Sequence, residues 1–337
     1  MSPHASAERF QLVTEVEGGE QCFLEDLRSG LLARPKTLPC RWFYDEAGSR
    51  LFEQICELPE YYLTRCERSI LEEHAAEIAG RFERPATLVE LGSGSASKTR
   101  RIIEAFLEQQ DRLVFAPIDI SRGMLTESAQ ILLEDYPELD IRAFAGRYET
   151  GLESLASWTR APRLTLWLGS SVGNLDRAQA ASFLRGLSTG MHFSDRLLIG
   201  IDLRKDPRVL EAAYDDSQGV TARFNRNLLV RVNRELGGHF DPESFSHRAS
   251  WQPSPGRVES HLVSRRDQQV RIETLGLEVS FTAGETIHTE NSYKYSREEI
   301  ETSAREAGML CEAQWLDKDA LYSLNLFAPA QRSASGA

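Results

Sequence analysis

The stretch Thr87-Leu-Val-Glu-Leu-Gly-Ser-Gly-Ser-Ala-Ser-Lys98 decides the fold of this chain. An apolar run over residues 87–91 ends at two glycines, Gly92 and Gly94, and a helical pattern begins near Thr99. A strand, a glycine turn and a helix in this order are typical of a ligand that lies on bare backbone at the edge of a parallel sheet. The sequence therefore predicts a ligand site at residues 92–98.

The residues around the turn indicate which ligand it takes. Ser97 stands where a dinucleotide site would have a third glycine. Glu90, two residues before the first glycine, would repel a pyrophosphate but suits a cation such as the sulfonium and ammonium of S-adenosylmethionine. Asp119, at the end of the next apolar run, can accept hydrogen bonds from both hydroxyls of a ribose. The alternative for Asp119 is an acid at a helix start, favoured by the helix dipole.

Composition limits the class of protein. A net charge of -12 argues against nucleic acid or an anionic membrane surface as a partner. No apolar run approaches the ~20 residues that span a bilayer, and residues 1–9 lack the apolar centre of a signal peptide. The five cysteines and seven histidines show no metal or triad spacing. We therefore expect a cytoplasmic protein with reduced thiols and no metal.

Strand and helix signals alternate between residues 87 and 202, which indicates an α/β, Rossmann-like sheet with helices on both faces. The predicted strands are Thr87–Leu91, Leu113–Asp119, Ile141–Ala145, Leu164–Leu168 and Leu197–Asp202, with closing strands Cys311–Leu316 and Ala320–Phe327. Helices are expected after Ser97, Ser121, Asp176 and Ser296. A late, antiparallel seventh strand is a habit of class I S-adenosylmethionine methyltransferases.

The sheet is predicted to be interrupted by a second lobe. We assign residues 66–203 and 295–328 to the sheet domain and residues 329–337 to a flexible tail. The sequence of residues 10–85 predicts mostly helix. Residues 10–65 and 204–294 are assigned to an α+β substrate-binding lobe over the carboxyl ends of the strands.

Four clusters outside the glycine turn could carry chemistry. Tyr61 could face a pocket or pack in the core. Asn174 can hold an amine or a carboxylate, or cap the next helix. Tyr214 precedes two acids at a helix end, which is either functional or a solvated turn. If its segment is extended, Glu290 and Ser292 share one face and could grip the two nitrogens of an imidazole; the alternative is a solvated edge strand.

Together these clusters resemble the histidine Nα-methyltransferase family of ergothioneine biosynthesis over roughly residues 25–327. The matching phrases are Trp42-Phe-Tyr-Asp45, Leu58-Pro-Glu-Tyr-Tyr62 with Thr64-Arg65, Glu90-Leu-Gly-Ser-Gly94 with Lys98-Thr-Arg100, Gly169-Ser170 with Gly173-Asn-Leu175, Tyr214-Asp-Asp216 with Gly219-Val-Thr-Ala222, Phe224-Asn-Arg-Asn227, Val232-Asn-Arg-Glu-Leu236, and Thr289-Glu290 with Ser292 and Lys294. Several of these phrases are peculiar to the family.

The resemblance implies three methyl transfers from S-adenosyl-L-methionine to the α-amine of L-histidine, giving hercynine. We expect the enzyme to be a monomer. The implied cofactor positions, joined to those indicated by the glycine turn, are Glu90, Gly92, Gly94, Lys98, Asp119 and Tyr148. The implied positions for the amino acid's carboxylate and amine, which we also name as catalytic, are Tyr61, Asn174 and Tyr214. The implied imidazole pair is Glu290 and Ser292, with Tyr44 nearby.

Two departures from the family's pattern stand out. Arg147 replaces an acid that commonly meets the adenine region, leaving backbone and Tyr148 to hold that ring. Ser260 and His261 lie in a strand that is usually bulkier and apolar, which could change the size of the imidazole pocket. The alternatives are a relative acting on another amino acid such as tryptophan, a nicotinamide-dependent oxidoreductase, and a catalytically dead scaffold.

Overall fold

The computed structural model describes residues 9–15, 19–156 and 159–330. The chain separates into two compact units. The first unit comprises Met1–Glu15, Arg65–Arg204 and Tyr295–Ala337, and the second comprises Val16–Thr64 and Lys205–Lys294. Most of the predicted tail, residues 331–337, lies outside the described residues.

The strands of the described chain follow in order. They are β1 (Phe10–Thr14), β2 (Lys36–Thr37), β3 (Thr87–Leu91), β4 (Leu113–Asp119), β5 (Leu139–Ala145), β6 (Arg163–Trp167), β7 (Arg196–Asp202), β8 (Phe245–Gln252), β9 (Arg257–Ser264), β10 (Gln268–Ile272), β11 (Leu277–Phe281), β12 (Thr286–Tyr293), β13 (Met309–Leu316) and β14 (Tyr322–Pro329).

The α-helices are α1 (Gly19–Leu32), α2 (Glu46–Cys56), α3 (Tyr62–Ala79), α4 (Arg100–Leu107), α5 (Arg122–Asp135), α6 (Tyr148–Ala156), α7 (Arg177–Thr189), α8 (Pro207–Tyr214), α9 (Val220–Leu236) and α10 (Arg297–Glu306). Short 3-10 turns occupy Cys40–Phe43, Ser171–Asn174 and Pro242–Ser244. Asp176 and Ser296 each close a capping box, at the start of α7 and of α10, and the sequence predicts the one at Ser296. Among the described residues, no helix is both long and apolar enough to cross a bilayer.

The first unit contains an eight-stranded sheet in the order β1-β5-β4-β3-β6-β7-β14-β13. The pairs from β1 to β7 are parallel, and β14 pairs antiparallel with both β7 and β13. The predicted α/β, Rossmann-like sheet with a late antiparallel strand is therefore confirmed. After β3 the chain moves to β4 on one side, and it later enters β6 on the other, so the switch point of the sheet lies between β3 and β6.

The expectation of a helical start in the second lobe is wrong for Phe10–Thr14. This segment is an edge strand of the large sheet, paired parallel with β5. Edge strands have one partner and one open side, and this one is largely exposed, so its sequence lacks the apolar run that identifies the central strands. Arg9 anchors it by donating to the carbonyls of Leu133, Tyr136 and Leu139.

The second unit combines helices with a small antiparallel sheet. Its four-stranded sheet has the order β2-β12-β9-β8, and β10 and β11 form a separate hairpin. In β9, buried and half-buried side chains alternate strictly, as expected for a strand with one face on a core. The β8–β9, β9–β12 and β10–β11 pairs are antiparallel. The sequence of β8, Phe245-Ser-His-Arg-Ala-Ser-Trp-Gln252, carries few apolar residues and so gives little strand signal.

Asp216 follows the C-terminal end of α8, where an acid is unfavourable, but its side chain interacts with the next helix. Asp216 turns forward and accepts hydrogen bonds from the backbone N–H groups of Val220 (3.0 Å) and Thr221 (2.7 Å) at the start of α9. Although burial acts to raise it, these bonds hold the pKa of Asp216 below its usual value. The acid therefore caps the next helix, where the dipole favours it.

We expect Asp216→Ala to lower the free energy of unfolding by about 2–4 kcal/mol, because two buried N–H groups lose a charged acceptor. Denaturant unfolding at neutral pH measures the loss. Asp215→Ala is the matched control, since the side chain of Asp215 is 50% exposed and lies 4.0 Å from Nε2 of His247. Equal losses in the two variants would contradict the capping role.

Candidate functional site

The glycine turn after β3 adopts a conformation that other residues tolerate poorly. Gly92 has φ +73°, and a Cβ atom there would lie 2.6 Å from the hydroxyl of Tyr148. Gly94 has φ +50°, and no heavy atom lies within 4 Å of its Cβ position. Gly92 is thus required by close approach, whereas Gly94 leaves open space beside the backbone. The turn lies at the switch point of the sheet, where α/β proteins bind ligands.

Asp119, at the end of β4, is held rigidly beside this turn. One carboxylate oxygen accepts from the N–H of Gly94 (3.0 Å), and the other accepts from the N–H of Ser121 (2.9 Å). Burial raises the pKa of this carboxyl, although the backbone bonds act against the rise. Each oxygen keeps a lone pair, so the residue can still accept from the hydroxyls of a ligand. Ser121, rather than Asp119, caps α5.

Glu90 lies inside β3 and is 3% exposed. The hydroxyl of Thr99 donates to its Oε1 at 2.7 Å, while Oε2 is buried and has no hydrogen-bond partner among the described residues. Burial raises the pKa of Glu90 to about 8, although the Thr99 bond and the charge of Lys98 act to lower it. A cation arriving at this carboxyl would favour its ionised form, as the sequence-based reading requires.

Lys98 is joined to a buried acid that the sequence analysis missed. Its ammonium donates to Glu67 of α3, whose carboxylate also accepts from the N–H of Gly169 (2.8 Å) and the hydroxyl of Tyr322 (2.7 Å). Glu67 is fully buried. It therefore ties the helix after the glycine turn to the loop after β6. Nothing in its sequence neighbourhood distinguishes it from the other acids of α3.

The loop after β6 presents Asn174 at the end of a 3-10 turn. Asp176 accepts from the N–H of Gln179 (2.8 Å) and caps α7, so Asn174 does not serve as the cap. Ser170 has φ +59°, and its hydroxyl accepts from the N–H of Asp202 (3.0 Å). The loop is thereby fixed to β7, with Asn174 half-buried beside it. The amine- or carboxylate-binding role of Asn174 stays a prediction.

Arg147, the departure after β5, pairs with an acid from the edge strand's end. Its guanidinium and backbone N–H both donate to Glu15, at 2.8 and 2.9 Å, and these bonds hold the pKa of Glu15 below its usual value. The arginine thus has a partner within the first unit. Tyr148, the next residue, begins α6 and reaches Gly92, as described above.

The second unit gathers predicted residues around a buried lysine. The ammonium of Lys294 donates to Tyr214 Oη and to Ser292 Oγ, each at 2.8 Å, and these two oxygens are 2.7 Å apart. The ring of Tyr61 lies 6.2 Å from that of Tyr214, measured between centroids. Burial raises the pKa of Tyr61 well above its usual value, so its hydroxyl stays protonated. We call Tyr214, Ser292 and Lys294 the lysine cluster.

Tyr44 and Glu290, two further predicted residues, belong to the same unit as the lysine cluster. Tyr44 packs edge-on against Phe52, which in turn contacts Tyr61. Glu290 follows a bulge in β12, and Ser260 opposite it on β9 donates to its carboxylate at 3.3 Å. Burial raises the pKa of Glu290 to about 7, although the charge of Lys294 and the Ser260 bond lower it.

The segment around Glu290 is extended, as its predicted role demands. Glu290 pairs with Ser260 and Ser292 pairs with Val258, so both lie on the same face of the β9–β12 pair. Ser292 is buried. The alternative of a solvated edge strand does not fit, because Ser292 and Lys294 are buried, although β2 pairs with β12 only at Ile287 and His288. The imidazole-binding role itself stays a prediction.

We expect Glu90→Gln to stabilise the free protein increasingly as pH rises. Between the unfolded pKa, about 4, and the folded pKa of about 8, the folded state keeps a proton that the unfolded chain has lost. Stability therefore falls with rising pH in this window, by up to several kcal/mol, and then levels off. Glutamine removes the titration and still accepts from Thr99. Thermal melting from about pH 5 to about pH 9 measures the difference in stability between the Glu90→Gln variant and the wild type.

Glu127→Gln, which alters an exposed carboxylate on α5, is the control and should show no such trend. A gap between Glu90→Gln and the wild type that stays constant across the pH range would show that Glu90 is already ionised in the folded protein.

Comparison with known proteins identifies the family. Residues 23–329 match the family described as "Histidine-specific methyltransferase, SAM-dependent". The chain is 42% identical to the histidine N-alpha-methyltransferase of Mycolicibacterium smegmatis, over 92% of this chain and 96% of that protein. It is 40% identical to the protein of the same name in Mycobacterium tuberculosis, over 93% and 96%. It is also 32% identical to ergothioneine biosynthesis protein 1 of Neurospora crassa, over 89% of this chain and 34% of that protein. The chain therefore belongs to the family of histidine-specific, S-adenosylmethionine-dependent methyltransferases.

Proposed function

We propose that this enzyme transfers three methyl groups in succession from S-adenosylmethionine to the α-amine of L-histidine, giving hercynine for ergothioneine biosynthesis. The observation that carries the proposal is the placement of Glu290 and Ser292 on one face of β12, with Ser292 held in the lysine cluster. Membership of the methyltransferase family excludes the nicotinamide-dependent oxidoreductase that the glycine turn alone left open.

The first unit offers residues that fit the methyl donor. The open space beside Gly94 admits a ligand against the backbone, and Asp119 keeps acceptor capacity for ribose hydroxyls. Oε2 of Glu90, which has no hydrogen-bond partner among the described residues, suits the ammonium of the donor. Lys98, whose ammonium also pairs with Glu67, is the proposed partner of the donor's carboxylate. The donor supplies a methyl group activated by a positive sulfur. The protein's task is then to align the amine with that methyl group and to exclude water.

The donors and acceptors of the lysine cluster suggest how Ser292 and Glu290 would contact an imidazole. Because Lys294 donates to both Tyr214 and Ser292, one of the two hydroxyls must donate to the other. If Tyr214 donates, the Ser292 hydroxyl can donate to the unprotonated nitrogen of an imidazole. Glu290 then accepts from the ring's N–H. This arrangement selects a neutral imidazole, which has one donor and one acceptor, over an indole, which has a donor only.

The same hydrogen-bond pattern suggests that Tyr214 contacts the substrate's amine. With its proton directed to Ser292, the oxygen of Tyr214 is an acceptor for the amine's N–H groups. Tyr61 and Asn174 are proposed to hold the amine and carboxylate in place, and Tyr44 to border the pocket. The amine must lose a proton before each transfer, and we propose that it passes to solvent through a tyrosine-linked water. Glu290 therefore acts at the ring and not at the amine.

We expect Glu290→Ala to raise the KM for histidine roughly tenfold or more, since a charged hydrogen bond is worth about 1.5–3 kcal/mol. The dissociation constant for S-adenosylhomocysteine should change by less than about twofold. Steady-state kinetics and calorimetry measure the two quantities. Glu278→Ala, which removes an exposed carboxylate on β11, is the control. Equal losses for both ligands would refute the assignment of Glu290 to histidine.

Incubation of the enzyme with S-adenosylmethionine and either histidine or tryptophan tests the substrate directly. Mass spectrometry should find one, two and three added methyl groups on histidine and slower or absent methylation of tryptophan. Faster turnover of tryptophan would transfer the proposal to another amino acid within the same family. The monomeric state, the cytoplasmic location and the lack of nucleic-acid or membrane partners stay predictions from composition and resemblance.

A further inference from the structure

Three side chains on β9 and β12 converge on the sheet face opposite Glu290. Glu259 and His261 are two residues apart on β9, and His261 lies directly across from His288 on β12. One possible ligand atom from each of the three lies within 4.8 Å of the others. The imidazole rings of His261 and His288 are 5.1 Å apart between centroids. We call Glu259, His261 and His288 the two-histidine cluster.

The cluster lies apart from the proposed imidazole pocket. Ser260 and Glu290 pair across the same two strands one position further along. Because neighbouring residues of a strand point to opposite faces, Ser260 and Glu290 face one side while His261 and His288 face the other. The bulge between His288 and Glu290 maintains this separation on β12. Neither histidine was matched to a family position in the sequence.

One imidazole nitrogen of the cluster lacks a partner in the described part of the chain. The Nδ1 atom of His261 is buried and has no hydrogen-bond partner among the described residues. A buried imidazole nitrogen with no partner costs free energy unless something binds it. A metal ion satisfies such a nitrogen without requiring a proton.

The remaining polar contacts orient the cluster. Asn291 Oδ1 lies 3.0 Å from Nε2 of His288, which restrains that ring. Arg257 donates to Oε1 of Glu259 at 2.8 Å, while Oε2 of the same carboxylate lies 3.8 Å from Nε2 of His261. This division of the carboxylate leaves one oxygen directed to the histidines. Such second contacts are typical of metal ligands.

We propose that the two-histidine cluster binds one divalent transition-metal ion, with Zn²⁺ the best fit. Two imidazoles and one carboxylate match the ligand preference of Zn²⁺, whereas Mg²⁺ and Ca²⁺ prefer oxygen ligands. Zinc bonds of about 2.0–2.2 Å place tetrahedral ligand atoms roughly 3.4 Å apart. The cluster must therefore contract by about 1 Å, through side-chain rotation, with water in the fourth position.

The charged groups around the two-histidine cluster limit its affinity for a metal ion. The guanidinium groups of Arg257 and Arg248 oppose a cation, and the carboxylate of Glu259 offsets part of this repulsion. The ligands are partly exposed, with 12% of the His261 side chain and 16% of the Glu259 side chain accessible. An ion can thus enter from solvent. We expect a dissociation constant in the micromolar range, about 8 kcal/mol of binding free energy, rather than that of a structural zinc site.

Titration of the reduced, full-length protein with Zn²⁺ by calorimetry tests the proposal. One equivalent should bind, and His261→Gln or His288→Gln should each weaken binding at least tenfold. His239→Gln is the matched control, because His239 forms an exposed pair with Glu273 in the same unit. Binding that is unchanged in the His261 and His288 variants would overturn the proposal. Melting curves verify that each variant is folded.

Co²⁺ provides a second measurement that does not depend on variants. The wild-type protein should give visible d–d bands of a four- or five-coordinate nitrogen and oxygen site. The five cysteines of the chain are free thiols, so a strong near-ultraviolet thiolate band would place the ion on cysteine and refute the proposal. An absence of any Co²⁺ or Zn²⁺ binding would refute it equally.

Discussion

The first unit depends on a buried carboxylate, Glu67, that joins three parts of the sheet. A charge removed from water costs several kcal/mol unless partners replace the lost hydration. Glu67 meets this requirement through Lys98, the N–H of Gly169 and the hydroxyl of Tyr322. These partners come from the residues after β3, the loop after β6 and strand β14. One side chain therefore fixes both loops at the switch point of the sheet, where the donor is proposed to bind.

The second unit also contains a buried charged group with hydrogen-bond partners, but here the group is a cation. Lys294 is fully buried, and its ammonium is satisfied by Tyr214 and Ser292. Since an ammonium has donors only, it turns both oxygens into acceptors and leaves their own protons to be arranged between them. The hydrogen-bonding pattern offered to an amino acid is thus determined by a group that need not touch it.

Two acids in the protein are kept in an unfavourable state. Burial raises the pKa of Glu90 to about 8 and that of Glu290 to about 7. Both carboxyls would be more stable in water, and one oxygen of Glu90 is unpartnered within the described chain. Residues held against local stability are characteristic of binding sites, because the ligand supplies the missing interaction. The Glu90 carboxyl would gain most from a cation, and the Glu290 carboxyl from an N–H donor.

Local patterns in the sequence were sufficient for the central strands, the glycine turn and the capping boxes. The apolar run into Gly92 and the Ser296–Glu299 pair are signals over a few residues, with one physical reading each. The strand at Phe10–Thr14 was not predictable in this way, because an exposed edge strand carries little apolar periodicity. Its place was decided by pairing with β5, more than a hundred residues later.

The sequence by itself determined the fold class and, through its resemblance to a family, the chemistry; both follow from residues close together in the chain. The tertiary structure alone decided the partners of Glu67 and the meeting of His261 with His288. These contacts join distant segments through sheet pairing and burial. No spacing along the chain encodes them, because antiparallel strands bring together residues at separations set by the intervening loop.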